Sequence, residues 1–68
     1  MNKYSEELLN SFKEYYLKSG DNNFYPDQYE QFPNYELSIK ELRFLNILEN
    51  TDYIDGSISF TDNYLEKL

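Results

Sequence analysis

The sequence contains no cysteine and no histidine, and these absences exclude several kinds of chemistry. Without cysteine there are no disulfide bonds and no thiolate nucleophile. Without either residue there is no zinc finger and no Cys/His catalytic pair. If so small a fold needs extra support, we expect it to come from association with itself or with a partner.

Glycine is scarce, and Gly20 and Gly56 stand alone, so no phosphate-binding loop is present. Acid–base catalysis by carboxylates needs a pocket that shifts their pKa values, and a chain of this length offers little room for one. An EF-hand loop aligned with Gly56 at its sixth position places Tyr53 at the third position, where an oxygen ligand is required, which excludes that type of calcium site. The sequence therefore predicts a protein that is not an enzyme and that holds no metal or cofactor.

Long apolar runs are also missing. No run approaches the roughly 18 residues of a membrane span, and residues 1–7 are too polar for a signal peptide. The 68 residues predict a single domain, 1–68, in the bacterial cytoplasm. Alanine, valine and tryptophan are absent while Asn, Tyr, Lys, Ile and Phe abound, a bias typical of AT-rich coding sequence in low-GC bacteria and their phages or plasmids.

Basic residues are also scarce. Six basic residues stand against 13 acidic ones, which gives a formal net charge of −7, and Arg43 is the single arginine. No base occurs in residues 19–39 or in residues 50–66. Such a surface repels DNA and membranes and attracts basic proteins, although acidity also serves simply to keep a small protein soluble.

The first 20 residues have the pattern of an amphipathic helix. Asn2 or Ser5 is suited to cap its start, and Gly20 follows the last turn as a normal stop. Apolar residues recur every three or four positions, which places them on one face. This face consists of Tyr4, Leu8, Leu9, Phe12, Tyr15 and Tyr16.

Residues 21–36 carry both prolines and five aromatic residues. Pro26 is well placed as the first residue of a short helix over Asp27–Phe32, which Pro33 ends. The alternative is an ordered loop pinned by its aromatic side chains.

The third segment predicts a helix that begins at a capping box formed by Ser38 and Glu41. Leu37 and Leu42 suit a hydrophobic staple across this start. The apolar residues spread around a wide arc, so we expect a central helix packed on more than one side and ending near residues 49–51. Its exposed stripe is predicted to carry Lys40, Arg43 and Asn46.

A hairpin and a short helix are expected to complete the chain. Asp55-Gly56 between alternating residues is typical of a type I′ turn, with strands at Asp52–Ile54 and Ser57–Phe60. Ser57 and Ser59 are expected to face water. Thr61 or Asp62 then caps the last helix. The predicted fold class is α+β, mostly helical: two or three helices, a β-hairpin and a short C-terminal helix.

The order of these elements, together with the tail ISFTDNYLEKL, resembles winged-helix domains, over roughly residues 37–68 in pattern. The resemblance implies a DNA-binding regulator whose third helix enters the major groove through Lys40, Arg43 and Asn46. The chain departs from this pattern because its expected wing carries the acidic residues Asp52 and Asp55 instead of bases. Direct DNA binding is therefore the alternative hypothesis.

Eight tyrosines and five phenylalanines form the main compositional anomaly. Most are expected to fill the core, but tyrosine is also enriched in protein interfaces. The preferred hypothesis is a non-enzymatic module, such as a phage or mobile-element inhibitor, that mimics DNA and occupies the basic surface of a nucleic-acid-binding protein. A homodimer held by aromatic residues is a third hypothesis. The predicted partner-binding residues are Tyr25, Asp27, Tyr29, Glu30, Tyr35, Glu36, Asp52 and Asp55.

Overall fold

The computed structural model describes residues 1–32, 34–52 and 56–68, except for the side chains of residues 50–52. Two helices, separated by a 3₁₀ turn, precede an antiparallel hairpin and a short helix. Their bounds are α1 (Lys3–Ser19), the 3₁₀ turn (Pro26–Gln28), α2 (Tyr35–Phe44), β1 (Leu48–Asp52), β2 (Ser57–Phe60) and α3 (Asp62–Leu65). This architecture confirms the predicted α+β, mostly helical class.

Helix α1 begins and ends at the residues that the sequence indicates. The side chain of Asn2 accepts a hydrogen bond from the Ser5 N–H at 2.9 Å. Gly20 adopts φ 73° and donates its N–H to the Tyr16 carbonyl at 2.8 Å. Both caps satisfy backbone groups that would otherwise lack a partner, and glycine adopts this left-handed conformation without steric strain.

The helix predicted over Asp27–Phe32 is wrong. Only a 3₁₀ turn forms, and it begins at Pro26, which suits a first helical position. Tyr29 is already extended, with φ −120° and ψ 126°. Its ring then stacks on Phe24, with ring centroids 5.2 Å apart. The segment is closer to the predicted alternative, a loop pinned by aromatic side chains.

Helix α2 starts three residues before the predicted capping box. Asn34 occupies the cap position, and the buried Ser38 lies inside the helix, where its hydroxyl donates to the Asn34 carbonyl at 3.5 Å. Leu37 is 63% exposed, so the predicted staple with Leu42 does not form. Ser38 and Glu41 have the spacing of a capping box, but Ser38 belongs to the buried face of the helix. The helix therefore begins before it.

Helix α2 also ends earlier than predicted, at Phe44. Asn46 turns the chain with φ 59°, and Leu48 opens β1 by pairing with Phe60. The expectation of a helix packed on several sides is wrong as well, because Phe44 is 89% exposed. The apolar run thus divides between helix α2, which has an exposed side, and the buried first residue of β1, Leu48.

The hairpin pairs Leu48 with Phe60 and Asp52 with Ser57, with an irregularity between residues 50 and 52. Strand β1 begins four residues earlier than predicted, and the predicted strand residues 53–54 and the turn residue Asp55 lie outside the described residues. The expectation that Ser57 and Ser59 face water is wrong, since they are only 3% and 2% exposed. The side chains on both faces of β2 are buried, so neither face of the strand is exposed to solvent.

The linker after α1 binds the second edge of β2. Phe24 and Ile58 exchange two backbone hydrogen bonds, each 2.9 Å long. The side-chain amide of Asn22 donates to the Phe60 carbonyl at 3.2 Å and accepts from the Phe60 N–H at 2.8 Å. Strand β2 is therefore hydrogen-bonded along both edges, to β1 and to this linker.

Thr61 caps α3, as predicted. Its side chain accepts a hydrogen bond from the Tyr64 N–H at 3.3 Å and donates to the Asn46 carbonyl at 2.7 Å. Its own N–H donates to the Ile47 carbonyl at 2.9 Å. Thr61 thus fixes α3 against the turn that follows α2.

Four aromatic rings form a continuous pile through the molecule, which we call the four-ring stack: Phe60, Phe12, Phe24 and Tyr29. Successive centroids are 3.9, 5.0 and 5.2 Å apart, and the planes are within 13° of parallel. Further rings contact the stack from the sides, namely Tyr15, Tyr16, Phe32 and Tyr64. Much of the aromatic content is therefore core, and only the Tyr29 end reaches the surface.

Among the described residues, no helix combines the length and the apolar character needed to cross a bilayer.

Candidate functional site

The exposed end of the four-ring stack is the first candidate site. Tyr29 is 40% exposed, and its ring is held between the parallel face of Phe24 and the edge of Phe32 at 5.9 Å. Asp27 and Glu30, its near neighbours in the chain, are exposed. This arrangement presents a fixed aromatic ring with two carboxylates close by.

A third carboxylate, that of Asp21, borders the same end of the stack. Its Oδ2 accepts the Tyr15 hydroxyl at 2.7 Å, and the Tyr15 ring contacts Phe24 edge-on at 5.6 Å. The Asn23 N–H donates to Asp21 Oδ1 at 2.9 Å. We call Tyr29, Asp21, Asp27 and Glu30 the Tyr29 surface.

The hydrogen bonds of Asp21 shift two titrations. The Tyr15 hydroxyl, followed by the Asn23 N–H, lowers the pKa of Asp21 below its ordinary value of 3.8. The same hydroxyl contact, with smaller effects of desolvation and of the negative charge, raises the pKa of Tyr15 above 10.0. Both shifts keep Asp21 charged and Tyr15 protonated near neutral pH.

The charges of the Tyr29 surface are not neutralised by ion pairs. Within the part of the chain that the structure describes, the salt bridge joins Lys18 to Glu14 on α1 at 2.9 Å, and none reaches Asp27 or Glu30. No base lies between Ser19 and Ile39 in the sequence. A concentrated negative potential follows.

Tyr25, Tyr35 and Glu36, the other described residues of the predicted partner-binding set, are not part of the Tyr29 surface. Tyr25 and Tyr35 are half-buried, and Glu36 is exposed in the first turn of α2. The side chain of Asp52 and all of Asp55 lie outside the described residues. The structure thus brings Tyr29, Asp27 and Glu30 together from the predicted set. Asp21 was missed because its link to Tyr29 runs through Tyr15 and Phe24 and leaves no sequence signal.

A groove of about 290 Å³ runs between α2 and the hairpin. Lys40 and Arg43 lie along it, both exposed, and neither pairs with a carboxylate of the described residues. Asn46, the third residue of the predicted stripe, lies beyond the helix in the turn at φ 59°. The lining comprises Tyr35, Glu36, Ile39, Lys40, Arg43, Gly56 and Ile58.

An exposed apolar stripe on α2 is the feature that sequence reasoning missed. Leu37 and Phe44 are 63% and 89% exposed, and their seven-residue spacing places them on one side of the helix. The signal was visible as this spacing, but the apolar residues around the helix favoured the interpretation of a buried element.

Comparison with models of protein families, with curated proteins and with solved structures gave no match. The described residues also contain no group of three or more carboxylates that could hold a metal ion.

Proposed function

We propose that this chain is a non-enzymatic protein-binding module that uses the Tyr29 surface to occupy a basic surface of a larger protein. The observation that carries the proposal is the combination of an ordered, exposed tyrosine with three exposed carboxylates, Asp21, Asp27 and Glu30. Two of these carboxylates have neither an ion pair nor any other described hydrogen bond.

Electrostatics supports a basic partner. Uncompensated carboxylates on one surface raise the local concentration of cationic groups and accelerate encounter with them. The formal charge of −7 adds a long-range contribution of the same sign. Lysine and arginine side chains are the groups that such a surface attracts.

The anchoring of Tyr29 supports an interface. Tyrosine, with tryptophan and arginine, is enriched among the residues that dominate binding energy. Stacking on Phe24 at an interplanar angle of 7° fixes the Tyr29 ring before any partner arrives. A ring that is already ordered loses less conformational entropy on binding.

The partner that we propose is a nucleic-acid-binding protein. Basic protein surfaces commonly bind nucleic acid phosphates, and the carboxylates of the Tyr29 surface take the place of those phosphates. The module then acts as an inhibitor that competes with DNA or RNA, a role suited to a small protein of a phage or mobile element.

The test is capture of partners from a bacterial lysate at low and high salt. The double variant Asp27→Asn/Glu30→Gln removes two charges from the Tyr29 surface, and it should lose the partner. The matched control Glu6→Gln/Glu7→Gln removes two charges from exposed positions on α1 and should retain it. The captured partner should be basic, should be released as salt rises, and should be displaced by nucleic acid.

Two results would contradict the proposal. One is capture that survives both high salt and Asp27→Asn/Glu30→Gln. The other is an equal loss in both double variants, which would show that net charge alone governs binding.

DNA binding by α2 is the second candidate, supported by the exposure of Lys40 and Arg43 on one side of the helix, where neither has an ion-pair partner among the described side chains. It predicts an electrophoretic shift of AT-rich fragments at low salt that weakens in Arg43→Ala. Absence of a shift at low salt would rule it out.

A further inference from the structure

The side of α2 that points away from the core is apolar at two places. Leu37 and Phe44 lie seven residues apart, about 10.5 Å along the helix axis, with Lys40 between them. Phe44 keeps 89% of its surface exposed, although a phenylalanine is a residue that folding normally buries. Two exposed apolar side chains on one side of a helix provide apolar area that a partner can cover.

The charges beside this stripe are balanced along the helix. Glu36 stands at the N-terminal end of α2 and Arg43 at the C-terminal end, on the flank that faces the groove. Lys40 and Glu41 lie between them. These four residues carry two positive and two negative charges, so the whole net charge of −7 resides elsewhere on the chain.

From these observations we propose that α2 pairs with α2 of a second copy of this chain, antiparallel and about a two-fold axis near Lys40. Leu37 of each copy then packs against Phe44 of the other, which gives two apolar layers. Each copy presents the same patch, as a two-fold interface requires.

Charge complementarity identifies the second copy as the occupant. In the antiparallel register that joins Leu37 to Phe44, Glu36 of one copy lies on the same flank as the second copy's Arg43. The two are offset by two residues, about 3 Å along the axis, so they can form an ion pair, and symmetry makes two such pairs. Opposing helix dipoles also favour this orientation.

The remaining charges fit the same arrangement. Lys40 lies close to the axis in both copies, and its long side chain can extend to solvent while its methylene groups cover the apolar layers. Glu41 is anchored from the other flank, since its Oε1 accepts the Asn2 N–H at 3.1 Å.

Other faces suit self-association poorly. Two copies that met through the Tyr29 surface would bring unpaired carboxylates together, which is repulsive. The α2 stripe is the apolar patch with balanced charge. The pairing is independent of the proposed function, because none of its contacts uses Tyr29, Asp21, Asp27 or Glu30.

The test is sedimentation equilibrium of the purified chain from micromolar to millimolar concentration. The wild type should show a reversible monomer–dimer equilibrium. Phe44→Ser should raise the dimer dissociation constant at least about tenfold, because it removes the ring that forms half of each apolar layer at the centre of the interface. Leu17→Ser, which changes an apolar side chain 62% exposed on α1, should leave the constant unchanged.

A charge exchange tests the register. Glu36→Arg should weaken the dimer by placing like charges together, and so should Arg43→Glu. The double variant Glu36→Arg/Arg43→Glu should restore it, since only a partner that carries both changes regains complementary pairs. Circular dichroism on dilute samples checks that every variant remains folded.

A chain that stays monomeric over the whole range would overturn the proposal. So would a dimer that resists Phe44→Ser but is lost in Leu17→Ser, or an exchange variant weaker than both single variants. A defect in capture by the Tyr29 surface would not affect this test, so the two proposals fail separately.

Discussion

The rings of Phe12 and Phe60 lie 3.9 Å apart between centroids, with planes 11° from parallel. Both side chains are at most 1% exposed. This contact joins the middle of α1 to the end of β2, two elements separated by most of the chain. It places the centre of the four-ring stack between the helical and the strand parts of the molecule.

Phe12→Leu should lower the free energy of unfolding by about 1–2 kcal/mol, because leucine keeps the apolar volume but loses the ring contacts with Phe60 and Phe24. Tyr4→Leu is the control, since Tyr4 is 49% exposed on the same helix, and it should change stability by less than about 0.5 kcal/mol. Urea unfolding followed by circular dichroism measures both values. Equal losses would show that the stack adds nothing to stability.

Asn46 should prove to be a turn residue. At φ 59° the left-handed conformation suits glycine and asparagine and strains other residues. Asn46→Ala should therefore be less stable than Asn46→Gly by about 1 kcal/mol in thermal or urea unfolding. Equal stability of the two variants would contradict this account.

The Ser59 hydroxyl is buried and has no hydrogen-bond partner among the residues that the structure describes. Ser59→Ala removes this unpaired group, so it should raise the free energy of unfolding by about 0.5–1 kcal/mol. Ser19→Ala offers the opposite case, because its hydroxyl donates to the Tyr15 carbonyl at 2.8 Å and accepts from the Asp21 N–H at 3.1 Å. That variant should lose stability, and the same sign for both variants would contradict this account.

The Tyr15–Asp21 hydrogen bond should be lost at both ends of the pH scale. The pKa of Asp21 is lowered on folding, so its contribution to stability is present above about pH 3.8 and disappears as the pH falls below the folded value. The pKa of Tyr15 is raised, so its contribution is present below pH 10.0 and disappears as the pH rises through the folded value. Thermal unfolding across this range measures both changes.

Two variants separate these contributions. Tyr15→Phe should remove the alkaline loss, because no phenol remains to ionise at that position. Asp21→Asn should reduce it, since the carboxylate that raises the pKa of Tyr15 is gone. Glu41 keeps part of the acid loss in both variants, because the Ser5 hydroxyl and the Asn2 N–H lower its pKa. An alkaline loss that persists unchanged in Tyr15→Phe would refute the assignment.

Features set by neighbours in sequence were predictable. Asn2 and Gly20 bound α1, and Thr61 caps α3, because a cap depends on a side chain and the backbone three or four residues away. The fold class followed from the same periodicities. Asp27 and Glu30 were identified as exposed acids for a similar reason, since an acidic side chain rarely enters a core without a partner.

Features set by distant partners were not predictable. Leu48 extends an apolar helical pattern, but it forms a strand because Phe60 pairs with it. Ser59 alternates with apolar residues, a pattern typical of a solvent-exposed strand position, yet both faces of β2 are buried. The apolar pattern around Phe44 is also that of a buried helix. Phe44 is exposed because α1 and the hairpin pack on the other side of α2.

The clamp between Asn22 and Phe60 spans 38 positions of the chain. Until Phe60 has been synthesised and released from the ribosomal tunnel, the ring of Phe12 lacks its stacking partner and the linker lacks the strand that binds it. Early helical segments cannot retain their structure alone, because short helices are marginal in water. Folding of this chain therefore waits until residue 60 is available, and a nascent chain stalled before residue 60 should remain a substrate for chaperones and proteases.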